Sequence, residues 1–226
     1  MAQFDAKLDV LPDAQRRLWL ELGTTPKDFV LYGGTALALR LSHRPSEDFD
    51  FFSNSSFAAT DLMSRIPYLN GARIDQFQEN TLTCTVERGG PIKISFFGGL
   101  TELRRVQDPD TTSDTALQVA SLLDIAAMKV SVIQRRAAYK DYFDIDSLLQ
   151  AGIELREALA AAQAVYGRAF NPMVSLKALS FFADGDLDRL ALHVRKRLLD
   201  AARAVDVEQL PRLTGKPGLT SGGRER

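Results

Sequence analysis

The feature that most constrains this chain is a short segment in which acids alternate with phenylalanines, Glu47-Asp-Phe-Asp-Phe-Phe52. Successive side chains of a β-strand point to opposite faces, so this alternation predicts a strand with acids on one face and aromatic rings on the other. Asp48 and Asp50 then present neighbouring carboxylates on one face. The pattern is typical of a sheet that packs one face on a core and leaves the other open.

Sequence patterns around this strand indicate further elements of a sheet. An apolar run over residues 29–32 predicts a strand; it ends at Gly33 and Gly34, and good helix formers follow from Thr35 to Leu41. Residues 42–46 are polar and predict a loop. Three more strands are predicted over residues 73–77, 82–87 and 92–97, and with the first two they form one mixed sheet.

From Ala120 onward the apolar spacing becomes helical. The predicted helices cover residues 122–136, 142–150, 155–166, 176–182 and 187–204. We therefore expect an α+β (α/β) fold that forms one compact unit. Residues 1–115 form the core with the mixed sheet, residues 116–210 form a helical region packed on it, and residues 211–226 are a Gly-, Ser- and Arg-rich disordered tail.

Composition narrows the classes of function. A formal net charge of -1 gives no global attraction to nucleic acid or to anionic membranes, so any phosphate binding must be local. The single Cys84 excludes an internal disulfide and a cysteine metal cluster. No segment approaches the roughly 18 apolar residues of a membrane span, and the N-terminus lacks the pattern of a signal peptide. We expect a soluble, cytoplasmic protein with no membrane partner.

Asp48 and Asp50 could hold a hard cation. Mg²⁺ prefers oxygen ligands and is commonly held by one or two carboxylates together with substrate phosphates. The alternative is an ordinary half-exposed strand whose acids are solvated.

The glycine turn offers a second candidate site. Glycine lets the backbone approach a ligand closely, and the unpaired N–H groups of the following helix attract anions, so Gly33, Gly34 and Thr35 could cradle a phosphate. The alternative is a plain strand-to-helix turn. The order of the parts is more informative than either part: strand, Gly-Gly-Thr, helix, basic loop, then a strand with D-x-D.

The segment of residues 33–52 in this order resembles the nucleotidyltransferases of the AbiEii/AbiGii toxin family and the related MenT toxins. Lys129 with Arg136, and then Lys140-Asp141-Tyr-Phe-Asp144, are similar to the downstream motifs of that family, so the resemblance spans residues 30–150. It implies a DNA polymerase β-like core followed by a helical array. It also implies Mg²⁺ (or Mn²⁺), an NTP substrate and transfer of a nucleotidyl group to an acceptor.

The resemblance also implies a biological setting and partners. The chain would be the toxin of a toxin–antitoxin or phage-defence pair, with RNA such as tRNA as acceptor and a cognate antitoxin protein as partner. Transfer to a protein hydroxyl is the alternative reaction. Basic residues outnumber acids over residues 189–226, which suits an RNA-facing patch or, equally, a solvated helix and a loose tail.

Roles for the remaining residues follow from the resemblance. Arg44, Ser46 and Arg136 would contact phosphate or base, and Lys129 would neutralise developing charge. Lys129 lies on a largely apolar helical stripe and can face a pocket, or it can bury its stem and extend its ammonium group into water. Asp141 and Asp144 are one helical turn apart and could act in catalysis or form a plain surface ion network.

One position departs from the implied pattern. Polymerase β-like enzymes usually place a third carboxylate on a later strand, and the matching position in residues 92–97 is Ser95, which shares its face with Lys93 and Phe97. That carboxylate usually activates the attacking hydroxyl. Its task would pass to Asp141, Asp144 or Glu87, or else the chain is a non-catalytic relative that binds a nucleotide or a partner.

Overall fold

The structure, a computed structural model, describes residues 2–220, and these divide into two compact units. The first unit comprises residues 2–103, 108–121 and 217–220, and the second comprises residues 104–107 and 122–216. The main division therefore falls after Ser121, not at the expected 115/116 boundary, because residues 118–119 form a strand of the sheet.

The first unit contains an eight-stranded mixed sheet, whose strands are β1 Gln3–Phe4, β2 Val30–Tyr32, β3 Asp48–Phe52, β4 Arg73–Gln78, β5 Thr81–Glu87, β6 Pro91–Phe97, β8 Asp110–Thr112 and β9 Gln118–Val119. Their order in the sheet is β1-β8-β9-β2-β3-β6-β5-β4. The central strand β3 runs antiparallel to β2 and parallel to β6, which confirms the mixed α/β class. Two further short strands, β7 Arg104–Arg105 and β10 Lys216–Pro217, pair as a separate sheet.

The covered face of the sheet carries the aromatic core that the alternation predicts. Phe49, Phe51 and Phe96 are fully buried, and the Phe51 and Phe96 rings stack with centroids 5.1 Å apart. Burial of each ring contributes about 1.5–3 kcal/mol to folding. This packing fixes the register of β3, since a shift by one residue would bury the aspartates instead.

Three α-helices belong to the first unit: α1 Asp13–Leu18, α2 Gly33–Leu41 and α3 Ala59–Arg65. Helix α2 follows β2 directly and buries Leu37 and Leu39 completely. It ends at Ser42, which adopts a left-handed conformation and donates its N–H to the Ala38 carbonyl over 2.8 Å. This close ending turns the chain back toward β3.

The second unit is helical, with α4 Leu122–Val132, α5 Tyr139–Gln150, α6 Leu155–Tyr166, α7 Pro172–Ala178 and α8 Leu192–Ala204. Helix α4 ends four residues earlier than predicted. Helix α7 begins earlier than predicted because Asn171 caps it, its side-chain oxygen accepting the Met173 N–H over 3.0 Å, with Pro172 in the first turn. No described helix is long and apolar enough to cross a membrane.

The segment predicted as a disordered tail differs in its described part. Over residues 211–220 the chain forms strand β10, and Leu219 is only 1% exposed. The Leu219 N–H donates to the side-chain oxygen of Asn54, and strand β10 pairs with β7, so a buried leucine and these backbone contacts hold a segment of otherwise polar composition. Residues 221–226, the rest of that predicted tail, lie outside the described residues.

Candidate active site

Strand β3 places the two predicted aspartates on the open face of the sheet. Asp48 and Asp50 are half-buried, whereas Phe49 between them is fully buried. Asp50 lies opposite Tyr32 of β2 and Ser95 of β6, and Asp48 lies opposite Lys93 of β6. Period-two spacing thus identified the face correctly.

The glycine turn lies directly against the second aspartate. Gly33 adopts a φ of +78°, and a Cβ atom built on it would lie 3.1 Å from Oδ2 of Asp50. A side chain at this position would strain the backbone and crowd the carboxylate. The first turn of α2 therefore approaches Asp50 as closely as a glycine allows.

The loop between α2 and β3 brings two more predicted residues to the same turn. A Cβ atom on Gly34 would lie 2.7 Å from the Ser46 hydroxyl and 3.0 Å from Nη2 of Arg44. A guanidinium group, a hydroxyl group and the N-terminus of a nine-residue helix therefore meet beside Asp50. Such a set suits an anionic group such as a phosphate.

Thr35 contributes differently from the prediction. Its side chain is fully buried, and its hydroxyl donates to the Asp48 carbonyl. This bond fastens the first turn of α2 to β3 and so positions the glycine turn beside the aspartates. The hydroxyl thus holds the two elements together, and the contact of Thr35 with a phosphate stays a prediction.

The position of the missing third carboxylate is well defined. Ser95 is 3% exposed, lies between Asp50 and Thr83 in the sheet, and its hydroxyl accepts from the Thr83 hydroxyl over 3.5 Å. Glu87 lies four residues farther along β5 than Thr83, about 13 Å along the strand, and so does not replace that acid. The contact of Thr83 with Ser95 was not predicted from the sequence, because the pairing of two strands leaves no local sequence signal.

The residues present fit a magnesium-type cation with few protein ligands. Asp48 and Asp50 supply hard oxygen atoms from one face, and the neighbouring turn can hold the phosphates that would complete the coordination. Within residues 2–220 no group of three or more His, Cys, Asp or Glu side chains is placed to hold a metal. The aspartate pair is therefore the candidate for the protein's ligands to such a cation.

The downstream motif residues meet in the second unit. Nζ of Lys129 lies 2.9 Å from Oδ1 of Asp141 and 2.6 Å from Oδ2 of Asp144, and Nε of Arg136 lies 2.7 Å from Oδ2 of Asp141. The Lys129 side chain is 6% exposed and both aspartates are 0% exposed. We call these four residues the buried ion cluster.

This burial decides between the alternatives left open by the sequence. Lys129 does not extend its ammonium group into water, and the aspartates do not form a surface network. Burial alone would raise the pKa of Asp141, but the hydrogen bonds and charges of Arg136 and Lys129 outweigh it and hold the pKa below its ordinary value. Asp141 is therefore ionised and neutralised from within the protein.

Several basic side chains of the C-terminal segment have partners within the second unit. Four side chains make contacts within the second unit: Arg189 with Asp186, Arg195 with the carbonyls of Asp188 and Leu190, Lys196 with Asp200, and Arg197 with Asp146. The Arg197 pair is bidentate, and its carboxylate is fully buried. The excess of basic residues there does not by itself make an RNA-facing patch.

The chain is similar to known proteins over most of its length. The family model described as "Nucleotidyl transferase AbiEii toxin, Type IV TA system" matches residues 17–213. The uncharacterised protein aq_aa25 of Aquifex aeolicus (strain VF5) is 32% identical over 160 residues, which cover 70% of this chain and 75% of that protein.

Among solved structures, the fold is similar to that of MenT4, the nucleotidyltransferase toxin Rv2826c from Mycobacterium tuberculosis H37Rv. The TM-score is 0.57 at 15% sequence identity, over 86% of this chain and 83% of that one. This similarity supports the nucleotidyltransferase fold.

Proposed function

We propose a reaction for this chain, which belongs to the AbiEii nucleotidyl transferase toxin family. The chain uses Mg²⁺ to transfer a nucleotidyl group from an NTP to an RNA hydroxyl, such as one on tRNA. The observation that supports this most directly is the contact between the glycine turn and Asp50. A helix terminus, which can attract anions, lies there beside two carboxylates that could hold Mg²⁺, and a metal–triphosphate substrate requires such a pairing.

In the proposed reaction the acceptor oxygen forms a bond to the α-phosphorus. The bond from that phosphorus to the bridging oxygen of the β-phosphate breaks, pyrophosphate leaves with the electron pair, and the hydroxyl proton is released. Bound at Asp48 and Asp50, Mg²⁺ would supply neutralising charge for the triphosphate. Arg44, Ser46 and the backbone N–H groups after Gly33 would hold and orient the phosphates.

Within the buried ion cluster, Arg136 is the better candidate for phosphate binding. Its side chain is 55% exposed, so its guanidinium group can bind an anion while Nε keeps its contact with Asp141. Lys129 already neutralises two carboxylates, so a direct phosphate contact would require it to exchange one of them. We therefore propose that Asp141 and Asp144 serve catalysis by fixing Lys129 and Arg136.

The acceptor proposal is supported by cations on the open face of the sheet. Lys93 and Arg73 are exposed, and the register Asp48–Lys93–Thr85–Arg73 places them in one row on the face that carries the aspartates. Exposed cations that follow a sheet toward the reacting centre suit a phosphate backbone. We therefore propose this row as the approach of the RNA.

The test is incubation of the pure chain with each α-³²P-labelled NTP, Mg²⁺ and either total RNA or a protein extract. We expect label on RNA with the parent chain, and loss by at least two orders of magnitude with Asp50→Asn, which removes the charge that the cation needs. Asp61→Asn is the matched control, because Asp61 is an exposed acid on α3 in the same unit. Label on protein instead of RNA would show that the acceptor is a protein. No label on either would indicate that the chain binds a nucleotide or a partner without transferring a nucleotidyl group.

The same variants test the role as a toxin. Production of the parent chain without a partner should arrest growth, and Asp50→Asn should relieve the arrest at equal soluble yield. Equal toxicity of both chains would point to a mechanism other than nucleotidyl transfer.

A further inference from the structure

We infer that the centre at Asp48 and Asp50 binds one divalent cation per chain, and that Ser95 is the residue that sets this number. The inference rests on the proposed function, because it concerns the cation of the same site. It is supported by the neighbours of the aspartates in the sheet and by the contacts of the other carboxylates.

Two cations in a phosphoryl-transfer site lie about 3.5–4 Å apart and share their carboxylate ligands. A second cation beside Asp50 would need a further charged oxygen from an adjacent strand. The adjacent residue is Ser95, whose hydroxyl is neutral, 3% exposed and in contact with the Thr83 hydroxyl. Hard cations that keep part of their water are held by charged carboxylates far better than by a neutral hydroxyl.

The other neighbour in β6 opposes a second cation directly. Lys93 lies opposite Asp48 on the same face, one strand spacing away, which is about 4.8 Å. A positive side chain on this face opposes the binding of an additional cation.

Neither Asp75 nor the aspartates of the buried ion cluster are placed to supply that oxygen. Asp75 lies on β4, three strands from β3 and so about 14 Å away, and its carboxylate is held by Arg73 and Thr85. In the second unit, Asp141 and Asp144 are fully buried and bound to Lys129. The acceptor hydroxyl would then lose its proton without a second cation beside it.

The experiment counts cations on the full-length chain, with Mn²⁺ as probe and the α,β-imido analogues of the four NTPs tested separately. Equilibrium binding should give one Mn²⁺ per chain in the complex, with an electron paramagnetic resonance spectrum free of coupling between manganese ions. Ser95→Asp should double the count and introduce manganese–manganese coupling. Ser95→Asn introduces a side chain with nearly the shape of aspartate but without its negative charge. This variant should bind the same number of Mn²⁺ ions as the parent and give the same spectrum.

Two coupled Mn²⁺ ions in the parent chain would overturn the inference while leaving the proposed function in place. No Mn²⁺ on the chain with any analogue would overturn both. If a folded Ser95→Asp chain still binds a single ion, Ser95 does not set the number of bound cations. The count on the parent chain decides the main point even if Ser95→Asp does not fold.

Discussion

Two pairs of aspartates, one in each unit, show opposite ways of carrying negative charge. Asp48 and Asp50 are half-buried on the open face of a sheet, beside a turn that suits anions. Asp141 and Asp144 are fully buried and are neutralised by Lys129, with Arg136 on one of them. The first pair is partly open to solvent, and the second has its counter-charge from buried and half-exposed cations of the chain.

The contrast shows why similar motifs need different tests. A carboxylate that stays partly in contact with solvent can be neutralised with little loss of folding stability. A carboxylate whose partner is a buried lysine cannot, because removing either member leaves an uncompensated charge away from water. The loss of folding stability on removal of a charge should therefore differ between the two pairs, and it can be measured without an activity assay.

The largest effect is expected for Lys129→Ala. Removal of the ammonium group leaves Asp141 and Asp144 buried with one cation fewer, which should lower the free energy of unfolding by about 3–5 kcal/mol. Urea unfolding followed by circular dichroism measures this. Lys140→Ala is the matched control, an exposed lysine in the same motif, and should change stability by no more than about 0.5 kcal/mol. Equal stability of the Lys129→Ala and Lys140→Ala chains would contradict the description of the buried ion cluster.

An intermediate effect is expected for ligands at the first pair. Mg²⁺ and an NTP together, at about 100 times the dissociation constant, should stabilise the parent chain by about 2.7 kcal/mol, and by more than either alone. Asp48→Asn should lose the Mg²⁺-dependent part. Without ligands it should be as stable as the parent, because neighbouring carboxylates repel each other. Thermal unfolding with and without each ligand measures this, and a full shift from NTP alone in both chains would exclude the metal.

The smallest effect concerns pH and Arg136. Because the pKa of Asp141 lies below its unfolded value of about 3.9, its contribution to stability is complete above that pH and is lost as the pH falls through the lower, folded value. Arg136→Gln removes the largest of the causes that lower this pKa. Its stability should therefore fall less as the pH is lowered below about 5, because less of the contribution of Asp141 remains to be lost. The loss at neutral pH should be no more than about 1 kcal/mol, because the arginine is exposed.

Urea midpoints between pH 2 and 6 give these profiles. Arg135→Gln, at the neighbouring exposed arginine, is the control and should follow the parent. Identical profiles for all three chains would show that Arg136 does not hold Asp141 in its ionised form.

The parts of the structure that were predictable from sequence are those with a local period. Alternation fixed the faces of β3, and the helical spacing over residues 155–166 matches α6. Strands β1, β8 and β9 have two or three residues, too few for any period, and were not predicted. Their pairing depends on partners far away in the chain.

The candidate site was predictable to a similar extent. The face of Ser95 followed from counting along β6, but its contact with Thr83 did not. The burial of Lys129 also has no local signal, because its partners Asp141 and Asp144 are 12 and 15 positions later and reach it only when α4 and α5 pack. Local patterns indicate which residues can act, and tertiary pairing decides what they contact.

The sheet order has a consequence for the newly made chain. Both motifs of the candidate site lie within residues 33–50, yet β3 gains its parallel neighbour only with β6, and β2 gains β9 only at residue 119. Such distant pairings form slowly and late, because the intervening chain must first be brought together. A ribosome-bound chain that has exposed only residues 1–90 would already contain the glycine turn and both aspartates of β3. One edge of β3 would still be unpaired. The capacity to act would thus be acquired late in synthesis, after about half of the protein has emerged.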